Sequence, residues 1–210
     1  MTTDALDAAE LSPADAFEQG IVPILDEVCR AVDHVRVDPW VVAGATVAIG
    51  NISELALAAQ VGATAEVRSC LPVHNTPCME ALAERGAGAF WLSPEITLDE
   101  IISLGAAAPA VLGITVFGRP RVMTSEHCIL QVANGCIHDC ATAACAPASC
   151  RSRISTARSC RCARHPRPLT PVRRYPIDLT PQVPQLLDAG VRRLMVDGTL
   201  LETDEVGRAT

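Results

Sequence analysis

Short apolar runs alternate with helical patterns through the middle of this chain, and the alternation is regular enough to name a fold class. Thr46-Val47-Ala48-Ile49-Gly50 is rich in β-branched and apolar residues between turn formers, the pattern of a buried strand. Residues 53–61 follow with apolar positions at helical spacing and Ser53 in the N-cap position. The next strand falls on residues 65–69, and a helix on residues 76–85 is stopped by Gly86. Residues 88–92 make a third strand, with Ser93-Pro94-Glu95 as its turn. Thr97 then opens a helix with Glu100 at the spacing of a capping box. Residues 111–117 make the fourth strand. Much later, residues 182–189 read as a helix ending at Gly190, and residues 193–197 as a strand. Val35-Arg36-Val37 is a candidate for one strand more, ahead of the series.

The strand centres near Val47, Val67, Phe90 and Ile114 are roughly 20 to 25 residues apart, the step of consecutive βα units in a parallel sheet. Five or six strands fall short of the eight that close a barrel. The expected class is therefore α/β, and one form of it is an incomplete TIM-like (β/α) barrel with a Cys-rich loop. The alternative is an open parallel sheet, doubly wound, with that loop at its carboxyl edge. The chain divides into an N-terminal tail (residues 1–23), a βα-repeat region ending in the Cys loop (24–140), an irregular Arg/Ser/Cys-rich segment (141–174) and a C-terminal βα segment (175–210).

Composition sharpens this picture. Apolar residues make up 49% of the chain but aromatics only 3%, so the core is built from Ala, Val, Leu and Ile, as βα repeats favour. A net charge of -7 argues against a generic nucleic-acid coat. The average hides an asymmetry, because no Asp or Glu lies between Asp139 and Asp178 while eight of the seventeen Arg fall in residues 151–174. That stretch has neither helical nor strand periodicity. It reads as a disordered basic loop, as an altered reading frame in the coding DNA, or as an Arg-rich RNA-contacting arm. The acidic N-terminus lacks the positive start and apolar run of a signal peptide. The longest apolar stretch, residues 106–117, is broken by Pro109, Gly113 and Thr115 and is too short to span a bilayer. A soluble cytoplasmic protein is expected.

Ten cysteines carry the candidate chemistry. Cys128, Cys136 and Cys140 cluster after the fourth strand, on the side where parallel α/β sheets place their active loops. In a reducing compartment such thiols suit iron–sulfur clusters or zinc better than disulfides. Their spacing lacks the paired CxxC knuckles of structural zinc sites. Cys145 is the nearest fourth ligand, ahead of Cys150, Cys160 and Cys162. Cys29 and Cys78 read as small hydrophobes on helical faces, and Cys70 as one at a strand end. Glu126 and His127 adjoin the first ligand and are candidates for acid–base work. Asn51, Glu66, Arg68 and Glu95 fall at or near strand C-terminal ends, and His74 lies on a following loop. All five are candidates for lining a substrate pocket, against ordinary loop solvation.

The run Gly118-Arg119-Pro120-Arg121-Val122-Met123-Thr124-Ser125-Glu126-His127-Cys128 resembles the signature region of the U32 peptidase family, the collagenase-like proteases. Ile49-Gly50-Asn51-Ile52-Ser53-Glu54-Leu55, Arg68-Ser69-Cys70-Leu71-Pro72-Val73-His74-Asn75 and Tyr175-Pro176-Ile177-Asp178-Leu179 are similar to barrel segments of the same family. The resemblance implies a TIM-barrel-like domain whose cysteines hold a 4Fe-4S cluster. It also implies chemistry on RNA bases, a quinone precursor or a peptide. It places barrel strands ahead of this chain's first residue, which an RNA or protein partner would have to complement. A Leu-x-Asp-Arg-like segment is expected after Cys140, where this chain has Arg/Ser/Cys text. A zinc-stabilised non-catalytic binding module and a truncated, non-functional remnant are the competing expectations.

Overall fold

The structure is a computed structural model that describes residues 1–29, 31–119, 157–158, 172–173, 177–198, 201 and 207. It divides into two compact units, Met1–Thr115 with Pro181–Met195, and Val116–Thr180 with Val196–Thr210.

In the first unit, strands β1 (Thr46–Ile49), β2 (Thr64–Val67), β3 (Ala87–Trp91) and β4 (Val111–Gly118) lie side by side in chain order. Every neighbouring pair among them is parallel. Helices α4 (Ile52–Val61), α5 (Thr76–Ala83) and α6 (Leu98–Gly105) form the crossovers. Sequential order with right-handed crossovers puts these three helices on one face of the sheet, and β1 to β4 contain no reversal of the kind a doubly wound sheet needs. Leu55 and Ala58, Met79 and Leu82, and Ile101 and Leu104 turn from the helices into the core. There they join Val47, Ile49, Val67, Phe90 and Leu112 from the strands. Helix α7 (Val183–Asp188) packs against α6, and β8 (Val191–Asp197) pairs with β4.

The helix starts are chemically specified. Asn51 caps α4, its side chain accepting Glu54 N–H at 3.0 Å, and Asn75 caps α5 in the same way. The expected cap Ser53 instead donates its hydroxyl to Asn51 Oδ1 at 2.6 Å. Asn51 wins because it has the extended backbone of an N-cap (φ -149°), whereas Ser53 already lies inside the helix. The Thr97–Glu100 capping box is present in both directions. Gly62 ends α4 at φ 83°, a conformation that favours glycine.

A further expectation differs from the structure. Val35-Arg36-Val37 is helical, within α3 (His34–Val37), and runs into a 3₁₀ turn at Asp38–Trp40. Buried Val37 and Trp40 anchor that turn, Pro39 fits its first positions, and His34 bonds Asp38 one turn away at 2.8 Å. The extra edge of the sheet comes from Ile24 instead, bridged in parallel to Ala48 and to Thr2. Residues 1–23 also hold two capped helices, α1 (Thr3–Ala8) and α2 (Pro13–Glu18). Arg36 ties α1 down through Asp4 at 3.2 Å and reaches Asp26 at 2.6 Å.

In the second unit, the end of β4 pairs antiparallel with β7 (Ile177–Asp178), matching Phe117 with Asp178. Strands β5 (Ala157–Arg158) and β6 (Val172–Arg173) form a separate antiparallel pair. Among the described residues the main sheet thus has six strands, is mostly parallel, and does not close.

Candidate functional site

The carboxyl ends of β1 and β2 bring together side chains from three segments. Arg68, just past β2, donates to the Leu25 carbonyl at 3.1 Å and to Glu27 Oε1 at 3.2 Å. Both partners belong to the stretch that follows the Ile24 bridge. Glu54, at the start of α4, turns back so that its Oε2 accepts Gly50 N–H at 2.7 Å. Cys70 in the turn after β2 lies with its thiol 3.7 Å from the Gly50 carbonyl. Gly50 is confined between these groups, since a Cβ there would meet Glu27 Cα at 2.9 Å. Burial pushes the Glu54 carboxyl up to about 7. The Gly50 and Asn51 amides and the nearby Arg68 charge pull the other way without cancelling it.

A second polar group sits on the face of the sheet opposite α4 to α6. Trp91 donates its indole N–H to Glu66 Oε2 at 2.8 Å, and Arg193 of β8 forms an ion pair with Glu66 Oε1. The Trp91 ring occupies space that Gly113 leaves open, because a Cβ there would lie 2.7 Å from the ring. Strand β8 pairs with β4, so β4 and β3 separate Arg193 from Glu66. Side chains stand roughly perpendicular to a sheet. Contact across three inter-strand steps, about 14 Å on a flat sheet, therefore requires the sheet to curve towards this face.

The expected pocket residues divide accordingly. Arg68 and Asn51 lie at the strand edge, Asn51 serving as a helix cap. Glu66 is buried within β2, inside the strand expected over residues 65–69. Glu95 and His74 are exposed, with Glu95 N–H bonded to Ser93 Oγ. Cys78 lies on α5 as expected, but Cys29 lies in the loop after Ile24 rather than on a helix. The apolar neighbours of Cys29 suggested a helical face, whereas the bridging of Ile24 to Ala48 draws this segment out as sheet edge. Glu126, His127, Cys128, Cys136, Cys140 and Cys145 lie outside the described residues. Among the described residues, no group of three or more His, Cys, Asp or Glu side chains is arranged to hold a metal.

Sequence reasoning passed over Glu54, Glu27 and Arg193. The one signal for Glu54 was Asn51-x-x-Glu54, the spacing of a capping box, in which the Glu returns to the backbone ahead of the helix.

The sequence model of peptidase family U32 matches residues 22–210. The chain belongs to peptidase family U32. No curated protein and no solved structure gives a significant match. The family match runs through both polar groups and through the cysteine segment, so all of them are parts of a U32 domain. Among the described residues no helix is long and apolar enough to cross a membrane.

Proposed function

We propose that this U32-family protein is an enzyme whose chemistry depends on a 4Fe-4S cluster held by Cys128, Cys136 and Cys140, with Cys145 as fourth ligand. The observation that carries the reading is the family match across residues 22–210, which includes all four thiols. Their chemistry fits the group, because thiolates are the usual ligands of iron–sulfur clusters, and no described cluster of side chains competes for a metal. Such a cluster supplies one-electron transfer when bound. Glu126 and His127 are the residues proposed to hold and move a proton beside it.

The incomplete-barrel architecture belongs to the same proposal. Strands in sequential order, helices on one face and curvature towards the face carrying Glu66, Trp91 and Arg193 all support it. Arg68 and Asn51 at the strand edge are then positioned to orient a substrate, which is RNA, a quinone precursor or a peptide. The partner is RNA or a protein, and the site of action is the cytoplasm. A zinc-bound, non-catalytic module is the competing reading.

Single Cys→Ser variants test the ligand set. Replacing Cys128, Cys136 or Cys140 should each abolish iron loading and the visible absorption of the cluster, whereas Cys78→Ser, on α5, should leave both intact. Iron retained in all three ligand variants would overturn the assignment.

A further inference from the structure

The face of the sheet opposite α4 to α6 carries a cation whose setting the proposed cluster chemistry does not explain. Arg193 of β8 is joined to Glu66 through one terminal nitrogen, and Glu66 is itself fixed by the Trp91 indole N–H. The carboxylate end of this pair is buried, whereas 44% of the Arg193 side chain is exposed. Among the described residues, Glu66 is the partner of this guanidinium. The edge of the planar fork formed by Nε and the second terminal nitrogen therefore keeps N–H groups to donate.

The surroundings decide what those donors suit. Side chains alternate along a strand, so Met195 stands on the same face of β8 as Arg193. By the same rule Val111 stands on the face of β4 that carries Gly113, where the Trp91 ring lies. Met195 and Val111 are both exposed, and Trp91 is partly exposed. The curvature that brings Arg193 to Glu66 makes this face concave. Positive charge on it is scarce. Arg192, next along β8, alternates to the other face and donates to the Leu187 and Val191 carbonyls. Arg68, at the strand edge, is paired with Glu27. With Glu66 beside it, Arg193 brings no net charge, so a polyanion such as RNA, which needs several unpaired cations, is a poor fit. A singly charged oxyanion on an apolar body suits the face better, because a guanidinium takes a carboxylate through two parallel N–H···O bonds.

We propose that this concave face binds a small apolar molecule bearing one carboxylate. Arg193 takes the carboxylate, and Trp91, Met195 and Val111 take the apolar body. Glu66 is the positioning residue. By holding one end of the guanidinium it orders a long, flexible side chain in advance, so that the ligand does not have to. Trp91 in turn fixes Glu66 through its indole N–H. The site uses none of the cysteines and is independent of whether a cluster is bound.

Proton–nitrogen NMR on the full chain, titrated with phenylacetate at constant ionic strength, tests it. The Trp91 indole N–H signal, distinguished from that of Trp40, should shift saturably with a Kd of about 1 mM. Phenylacetamide, of the same shape without the charge, and inorganic phosphate should each bind at least about tenfold more weakly. Arg193→Met alone strands a buried carboxylate, so the binding variant is the Glu66→Gln/Arg193→Met double, which should lose at least about tenfold in phenylacetate affinity. Where the double variant does not fold, the wild-type comparison of phenylacetate with its amide and with phosphate decides. Amide or phosphate binding as tightly as phenylacetate would overturn the proposal. So would unchanged affinity in the folded double variant, or no saturable shift in wild type.

Discussion

Arg193→Met removes the guanidinium from the Glu66–Trp91–Arg193 group while keeping an apolar stem of similar reach. The two ends of this ion pair are unequally buried, the Glu66 side chain being 6% exposed and that of Arg193 44%. Without Arg193, the carboxylate remains buried with the Trp91 indole N–H donating to it. Stranding a buried charge costs about 3–5 kcal/mol. Glu66→Gln works from the other side. It leaves Arg193 free to turn into water and still offers Trp91 an acceptor, so its cost should be about 1 kcal/mol, that of one ordinary hydrogen bond. The double variant contains no buried charge, and most of the loss in Arg193→Met should return. Urea unfolding of wild type, both single variants and the double variant gives the coupling directly. Equal single costs that simply add in the double variant would refute the assignment of Glu66 as the buried, dependent partner.

Other outcomes follow from the same contacts. Glu54→Gln should gain stability over wild type as pH rises. The folded-state value of about 7 lies above the ordinary 4.5, so wild type is free of penalty below about pH 4.5 and loses stability up to and through pH 7. The full difference is about 3 kcal/mol, read as a pH-dependent gap between the two denaturation midpoints. Gly105→Ala would bring a Cβ to 1.5 Å from the Ala189 carbonyl oxygen, so α6 or the Ala189–Gly190 turn must move. Its cost should reach about 3 kcal/mol or more in thermal unfolding. Gly44→Ala, at φ 76° with open space around it, should cost only the conformational strain of about 1–2 kcal/mol. Thr97→Ala deletes one half of an exposed capping box and should cost about 1 kcal/mol in the same assay.

The βα series was legible because each unit encodes itself locally. Thr46–Ile49, Ala87–Trp91 and Val111–Gly118 are compact apolar runs, and the helices between them start at Asn or Thr caps. Thr97 and Glu100 could be paired from spacing alone. Val35-Arg36-Val37 misled because β-branched residues at alternate positions suit a strand. The choice was made by the distant burial of Trp40 and the local His34–Asp38 bond, neither of which periodicity reports. The edge at Ile24 was equally hidden, since a bridge depends on which segment reaches β1 and not on the segment's own pattern. At the site, Arg68 was found because it follows a strand end. Arg193 was missed because its partner is more than a hundred residues away, and only curvature of the sheet brings the two together. Glu54 looked like an ordinary helix-start carboxylate. Its burial and unpaired oxygen are properties of packing, not of sequence.

Iron and acid-labile sulfide content of the full chain, purified without oxygen, bears most directly on the iron–sulfur proposal. A brown protein with about four irons and four sulfides per chain, reduced to background by Cys128→Ser, is the expected result. Colourless protein carrying a single zinc, or iron content unchanged by loss of Cys128, would contradict it.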